Sequence, residues 1–120
     1  MTGETGSYRY MSGEVFRHEE YTEKVDIFSL GLIMFECFEG THWLRGLAPV
    51  EACRRMAMHG DRPVFSGKTP SQMQALIRRC WAPAPDERPS ASEVGATLAA
   101  IEQELMPAIC YNCNGSCLVS

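Results

Sequence analysis

The sequence has no excess of basic residues. Its 120 residues include 11 Lys and Arg against 15 Asp and Glu, a formal net charge of −4, and neither half of the chain is basic. We therefore expect no nucleic-acid binding through neutralised phosphates and no attachment to an anionic membrane by a polybasic patch. The opening residues MTGETGSYRY also lack the apolar run of a signal peptide. These absences favour a cytoplasmic protein with one modest domain.

Alternation of apolar and polar residues, the pattern of a half-buried strand, is absent as well. Four segments instead predict helices: residues 25–38, 49–60, 71–81 and 90–107. Pro49 stands where a helix prefers its first residue, Gly60 stands at the end of the same segment, and Pro107 is expected to stop the last helix. The sequence thus predicts a mainly α fold.

The segment VDIFSLGLIMFECF, residues 25–38, has ten apolar positions in 14 and no polar side. Such a helix is expected to be buried all round. It is too short to cross a bilayer, and it carries Asp26 and Glu36, so a membrane span is not predicted. The expected buried face of the second helix consists of Val50, Cys53, Met56 and Ala57. That of the third helix consists of Met73, Leu76, Ile77 and either Cys80 or Trp81, and that of the fourth of Val94, Leu98, Ile101 and Leu105.

Six cysteines could form three disulfides, but their distribution favours free thiols. Without a secretory signal, reduced cysteines are the expected state. Cys37, Cys53 and Cys80 stand singly within predicted helices, and we expect each to be buried as a small apolar side chain.

Three segments, in this order and spacing, resemble the C-terminal lobe of a protein kinase. TGETGSYRYMSGEV is similar to the end of an activation segment, KVDIFSLGLIMFEC to the long buried helix of that lobe, and RRCWAPAPDERPSASEV to the ending of tyrosine kinase-like and tyrosine kinases. The resemblance implies that residues 1–105 are a partial kinase domain, an incomplete C-terminal helical lobe that begins within the activation segment. Residues 106–120 would then be a cysteine-containing tail.

The resemblance implies structural roles for five residues. Glu14 takes the place of the Ala-Pro-Glu glutamate, and Arg88 takes the place of the arginine that pairs with it in a bidentate ion pair. Asp26 falls where the family's aspartate accepts backbone N–H bonds from the catalytic loop. Ile33 and Cys37, one turn apart, fall where the family's helix supports the apolar stack beneath the adenine ring.

The segment GSYRYM, residues 6–11, resembles the substrate loop of Ser/Thr kinases. There the hydroxyl at the position of Ser7 bonds to the catalytic Asp and Lys, whereas tyrosine kinases usually carry proline. The resemblance therefore implies a Ser/Thr-specific tyrosine kinase-like enzyme with protein substrates, whose substrate loop contains Ser7 and Tyr10. Thr2 and Thr5 lie where activation segments are often phosphorylated, and ordinary loop hydroxyls are the alternative interpretation.

One departure from the family pattern precedes Glu14. Ser12 and Gly13 replace the alanine and proline of the motif. Because proline fixes φ and glycine leaves it free, we expect this turn to be looser than in the family.

The catalytic motifs of a kinase are missing from the 120 residues. There is no GxGxxG loop, no strand lysine of the VAIK type, no HRD and no DFG. We therefore expect that this chain alone is inactive and holds no catalytic residue. ATP and Mg²⁺ are expected to bind other parts of a full-length enzyme.

The tail contains Cys110, Cys113 and Cys117 at C-x-x-C-x-x-x-C spacing. A structural zinc site needs four ligands, and no further Cys or His lies nearby, so no metal site is predicted. The last four residues, CLVS, match a C-a-a-X box for farnesylation of Cys117, and the two upstream cysteines are placed like palmitoylated ones. A mistaken read-through at this end of the sequence is the alternative.

A second function class also fits the sequence. The chain could be a non-catalytic interaction module, tethered to a membrane through Cys117, that binds a kinase or a substrate. Its docking face would include Trp43, Arg54 and Arg55, and the alternative for Trp43 is packing within the fold.

Overall fold

The structure is a computed structural model that describes residues 8–41 and 46–112, with side chains up to residue 104. These residues form five α-helices: α1 (Gly13–Phe16), α2 (Lys24–Glu39), α3 (Pro49–His59), α4 (Ser71–Cys80) and α5 (Ala91–Asn112). Short 3-10 turns lie at Tyr8–Tyr10 and Pro85–Glu87. Since the described residues contain no strand, the prediction of a mainly α fold is confirmed.

The chain divides into two compact units between residues 90 and 91. In the first unit α2 supplies the centre of the core, where Phe28, Leu32 and Phe35 are at most 3% exposed. Gly31 allows α4 to approach closely, because a Cβ at this position would lie 2.9 Å from the Cβ of Cys80. Packing of α4 on α2 therefore depends on a missing side chain as well as on apolar ones.

One side of α2 is exposed, so the prediction of all-round burial is wrong. Ile33 is 42% exposed, Phe38 is 39% exposed, and the Cys37 thiol is exposed and free. The expected burial of Cys37 is therefore wrong too, whereas Cys53 and Cys80 are buried. A helix that is apolar on every side gives no signal of which side its neighbours cover.

The two following helices bury the faces that pack on this core. Pro49 is the first residue of α3, and Gly60 ends the helix in the left-handed conformation at φ 75°. Val50, predicted to be buried, is 45% exposed, and the buried residues of α3 are Ala52, Cys53 and Met56. The predicted face of α4 is confirmed, since Met73, Leu76 and Ile77 are buried, and the two alternatives Cys80 and Trp81 are both buried as well.

Three aromatic rings connect α2, the loop 61–70 and the end of α4. The ring centroids of Phe35 and Phe65 are 5.2 Å apart, and those of Phe65 and Trp81 are 5.8 Å apart with the rings stacked. Phe35 and Trp81 complete the cluster at 6.0 Å. These contacts hold a loop rich in glycine and proline against the helices.

The second unit, residues 91–120, contains α5. Val94 and Ile101 are buried, and Leu98 is 36% exposed. The predicted helix end at Pro107 is wrong, because the helical backbone continues to Asn112. An internal proline removes one backbone hydrogen bond, and the helix forms despite that loss.

Candidate functional site

A buried ion pair joins two segments that are far apart in the sequence. Arg88 Nη1 donates to Glu14 Oε2 at 2.7 Å, and Nη2 donates to Oε1 at 3.0 Å, across 74 positions of the chain. The side chain of Arg88 is 1% exposed and that of Glu14 is 3% exposed. The geometry is a bidentate pair of guanidinium and carboxylate, which fixes orientation as well as distance.

The remaining N–H groups of Arg88 are also bonded. Nε donates to the carbonyl oxygen of Ala82 at 2.8 Å, Nη1 also donates to that of Lys24 at 3.0 Å, and Nη2 also donates to that of Pro83 at 3.3 Å. The guanidinium lies 5.0 Å from the ring centre of Phe28. All five donors of this arginine therefore have acceptors, and a lysine could not replace them.

The carboxyl of Glu14 is held in its ionised form. Burial by itself raises its pKa, because the charged form loses hydration. The hydrogen bond from Arg88, a backbone hydrogen bond and the positive charge of Arg88 lower the pKa, and the net result lies below the ordinary value of 4.5. The pair is therefore charged at neutral pH, and loss of either partner would leave an uncompensated buried charge.

The segment before Glu14 is fixed to α2 by two hydrogen bonds. Tyr10 donates its hydroxyl to Glu36 Oε1 at 2.8 Å, and its carbonyl oxygen accepts a hydrogen bond from Ser29 Oγ at 2.6 Å. Burial, followed by the hydrogen bond to Glu36, raises the pKa of the Tyr10 phenol. Ser29 and Glu36 were missed at the level of sequence, although each is a polar residue within the apolar run of residues 25–38.

The guanidinium of Arg17 lies against the turn at Gly13. Arg17 Nη1 donates to the carbonyl oxygen of Ala57 in α3 at 2.7 Å, and its Nε pairs with Glu19 at 2.8 Å. A Cβ at Gly13 would lie 2.8 Å from Arg17 Nη1. Glycine thus leaves room for a guanidinium that ties α1 to α3, a contact that nothing in the sequence indicated.

Ser12 is a buried polar residue of this segment. It is 1% exposed, and its Oγ has no hydrogen-bond partner among the described residues. It stands at the N-cap position of α1, with extended backbone, but its hydroxyl makes no cap hydrogen bond. A buried hydroxyl without a partner destabilises the fold relative to alanine, the residue of the family motif.

A second buried carboxylate fixes the far end of α2. Glu39 is 4% exposed and accepts hydrogen bonds from the Ser66 backbone N–H at 3.1 Å and from the hydroxyls of Ser66 and Thr69. The hydrogen bonds from the Ser66 and Thr69 side chains lower the pKa of Glu39. This carboxylate holds the loop 61–70, and the sequence contained no signal for it.

Among the other predicted site residues, those with described side chains make no hydrogen bond to the ion pair. Asp26 is exposed, and Ile33 and Cys37 lie on the exposed side of α2. Arg54 and Arg55 are exposed and pair with Glu51 of the same helix. The remaining predicted residues lie outside the described side chains: Thr2, Thr5, Ser7, Trp43, Cys110, Cys113 and Cys117.

The described residues contain no group of three or more His, Cys, Asp or Glu side chains that could hold a metal ion. None of the described helices combines the length and apolarity required to cross a bilayer.

Comparison with known proteins places these features in a family context. The profile of the family described as protein tyrosine and serine/threonine kinase matches residues 1–98. The chain is 42% identical over 107 residues to Serine/threonine-protein kinase VIK of Arabidopsis thaliana. The aligned region covers 88% of this chain and 24% of the relative. It is 33% identical over 96 residues to Serine/threonine/tyrosine-protein kinase HT1 of the same plant, with coverage of 80% and 25%.

A relative from an animal shows the same pattern. Mitogen-activated protein kinase kinase kinase 7 of Drosophila melanogaster is 32% identical over 90 residues, with coverage of 75% of this chain and 13% of the relative. The chain therefore spans about a quarter or less of the length of these relatives.

Proposed function

The chain belongs to the protein tyrosine and serine/threonine kinase family, and we propose that it is the substrate-side C-terminal lobe of a Ser/Thr protein kinase. In the full-length enzyme the reaction would be phosphoryl transfer from ATP to protein hydroxyls. The lobe would comprise residues 1–105, with residues 106–120 as a tail.

The observation that carries this proposal is the buried pair of Glu14 and Arg88. The pair connects the segment at Tyr8–Tyr10 and α1 with the 3-10 turn at Pro85–Glu87, and it is bidentate and charged. A kinase must hold its substrate loop in one geometry while one protein substrate after another binds to it. A pre-organised ion pair with five satisfied donors is suited to that task.

The exposed side of α2 supports the same proposal. Asp26, Ile33 and Cys37 lie there, at spacings of seven and four residues that place them on one side of the helix. In a complete lobe the catalytic loop would pack on this side, and its backbone N–H groups would donate hydrogen bonds to Asp26. The apolar stack beneath the adenine ring would contact Ile33 and Cys37. These roles are inferred from the family resemblance.

We propose Ser/Thr specificity because Ser7 stands where tyrosine kinases carry proline. The loop that follows is fixed at Tyr10 by its bonds to Ser29 and Glu36. Phosphorylation of Thr2 or Thr5 would add negative charge immediately before this fixed point. ATP and Mg²⁺ would be held elsewhere in the full-length enzyme, so no step of the reaction is assigned to residues of this chain.

The test is a kinase assay on the longest open reading frame that contains residues 1–120. With Mg²⁺ and ATP, this protein should phosphorylate Ser or Thr in protein substrates. Glu14→Gln should lower the rate at least about tenfold, since it removes the charge that pins the loop. Glu20→Gln, an exposed neighbour of the same charge, should leave the rate unchanged. Transfer only to Tyr, no transfer, or an unaffected Glu14→Gln variant would contradict the proposal.

A lipid-anchored interaction module is the second candidate. It rests on the CLVS tetrapeptide and the cysteines upstream of it. Farnesylation would attach the lipid to Cys117, and one prenyl chain alone binds membranes only marginally, so Cys113 or Cys110 would carry a second acyl chain. Cys117→Ser should abolish the added mass and the membrane partitioning. An unchanged mass and distribution would exclude this candidate.

A further inference from the structure

A cleft opens between the loop after α3 and the end of α4. Its volume is about 370 Å³, at the small end of the range for ligand sites. Pro63, Trp81 and Pro83 form apolar wall, and Arg62 and Arg78 are the charged residues that line it. No acidic residue lines the cleft, and none of its lining residues belongs to the substrate loop.

Arg62 brings a partly buried positive charge to this cleft. Its Nε donates to the carbonyl oxygen of Trp81 at 3.0 Å, and its Nη1 donates to those of Met56 at 3.2 Å and Asp61 at 2.8 Å. Its guanidinium also lies 5.2 Å from the ring centre of Phe28. Burial, followed by the charge of Arg88, lowers the pKa of Arg62 to about 10, so it stays charged at neutral pH.

Arg78 brings an exposed guanidinium to the rim. It lies 4.9 Å from the ring centre of Phe65, whose ring stacks with Trp81. This cation–π contact fixes the position of the guanidinium while leaving its N–H groups available to an acceptor.

The two cleft arginines differ in charge pairing from others in the described chain. Arg17, Arg54, Arg55 and Arg88 each form an ion pair with a glutamate. Among the described residues Arg62 and Arg78 have no such pair, and the same is true of Arg9 and Arg79. On a chain with a net charge of −4, the cleft thus holds two positive charges beside apolar surface, and the adjacent Asp61 offsets part of the charge of Arg62.

We propose that this cleft docks an acidic segment of a partner protein, in which a carboxylate side chain stands next to an apolar one. The carboxylate would accept hydrogen bonds from the Arg78 guanidinium in the field of Arg62. The neighbouring apolar side chain would pack against Pro63, Trp81 and Pro83. A free anion would leave the apolar wall uncovered, and an uncharged apolar peptide would leave the arginines without a counter-charge, so an acidic–apolar segment complements both parts.

The proposal goes beyond phosphoryl transfer, since docking here is separate from the substrate loop. It is tested by isothermal titration of the 120-residue chain with a synthetic peptide of sequence Ac-Ser-Pro-Leu-Glu-Glu-Leu-Pro-Ser-NH₂. A matched peptide carries glutamine in place of both glutamates, and a third carries phosphoserine there. The glutamate peptide should bind at least about tenfold more tightly than the glutamine peptide, and its affinity should fall as salt rises.

The variants Arg78→Gln and Arg79→Gln provide the site test. They are adjacent in α4 and make the same change of charge, but only Arg78 lines the cleft. Arg78→Gln should weaken the glutamate peptide at least about tenfold, and Arg79→Gln should weaken it less than about twofold. Both side chains are exposed, and Arg78→Gln additionally removes the cation–π contact of Arg78 with Phe65.

Four outcomes would overturn the proposal. The first is no binding of the glutamate peptide to the wild-type chain. The second is equal binding of the glutamine peptide, which would show that charge is not recognised. The third is equal loss in both arginine variants, which would show a general charge effect. The fourth is tighter binding of the phosphoserine peptide that Arg78→Gln abolishes, which would make the cleft a phosphopeptide site instead.

Discussion

Replacing Ser12 by alanine should stabilise the protein. Ser12 is 1% exposed, and its Oγ has no hydrogen-bond partner among the described residues. The substitution removes one desolvated hydroxyl and keeps the Cβ, the backbone and the position in the chain. Because the hydroxyl makes no cap hydrogen bond to α1, the usual loss on replacing an N-cap serine does not apply.

The magnitude follows from two opposing effects. An unsatisfied buried hydroxyl destabilises by about 1–3 kcal/mol, and this penalty disappears in the variant. The oxygen leaves a void of about 10–15 Å³, which costs about 0.3 kcal/mol. The net increase in the free energy of unfolding should therefore be about 0.7–2.7 kcal/mol. For a chain of this size that corresponds to a rise in Tm of about 2–14 °C.

The assay is urea unfolding of wild type and variant, followed by circular dichroism, together with a thermal melt. The urea midpoint should rise with an unchanged slope, because the substitution exposes no new surface. Ser29→Ala is the matched control. The hydroxyl of Ser29 lies 2.6 Å from the carbonyl oxygen of Tyr10, so the same chemical change should here destabilise by about 1 kcal/mol.

The opposite signs of the two serine variants are the decisive result. If Ser12→Ala lowered the midpoint, or changed it as Ser29→Ala does, the Ser12 hydroxyl would have to contribute a favourable interaction. The description of Ser12 as a buried unsatisfied group would then be wrong.

Three further predictions concern the ion pair, the helix contact and the exposed thiol. Glu14→Gln should lower the free energy of unfolding by about 3–5 kcal/mol at pH 7, measured by urea unfolding. The pKa of Glu14 is lower in the folded than in the unfolded protein, so wild type should be more stable than the variant by the full amount at pH values above the unfolded pKa. This difference in the free energy of unfolding should disappear as the pH falls through the folded pKa. A difference that stayed constant down to pH 3 would contradict the prediction. Gly31→Ala should destabilise the protein by about 1–3 kcal/mol, because the added Cβ would lie 2.9 Å from the Cβ of Cys80. Gly95→Ala is the control: no atom lies within 4 Å of its added Cβ, and it should stabilise the protein by about 0.5–1 kcal/mol. Equal effects of the two substitutions would refute the close contact at Gly31. In the native protein a thiol reagent should label the exposed Cys37 rapidly and Cys80 only on unfolding, because burial raises the pKa of Cys80 to about 11. Mass spectrometry of peptides measures the two labelling rates. Equal rates would contradict this prediction.

Much of the fold could be predicted from local pattern. The predicted segments 25–38, 49–60 and 71–81 agree with α2, α3 and α4 to within one or two residues. Apolar periodicity together with Pro49 and Gly60 is a local signal, so it can be read without knowing the neighbours. The fourth segment failed at its end, because a proline favours a helix stop but does not enforce one.

The site could be predicted only in part. The positions of Glu14 and Arg88 came from the family resemblance, and the distances between them came from the structure. The bonds of Ser29, Glu36 and Glu39 had no sequence signal beyond polarity. Each of these side chains bonds to a residue at least 19 positions away, and such partners are chosen by the packing of the whole unit.

The sequence alone determined the helical class, the bounds of three central helices and the kinase family of the chain. These follow from short-range spacing and from three motifs in register. Only the tertiary structure decided that all five N–H donors of Arg88 are bonded, and that one side of α2 is exposed. It also decided that the Ser12 hydroxyl has no hydrogen-bond partner among the described residues. Burial and hydrogen bonding depend on which segments, distant in the sequence, pack against each other. Because α2 is apolar on every side, its sequence does not specify which side the other helices cover.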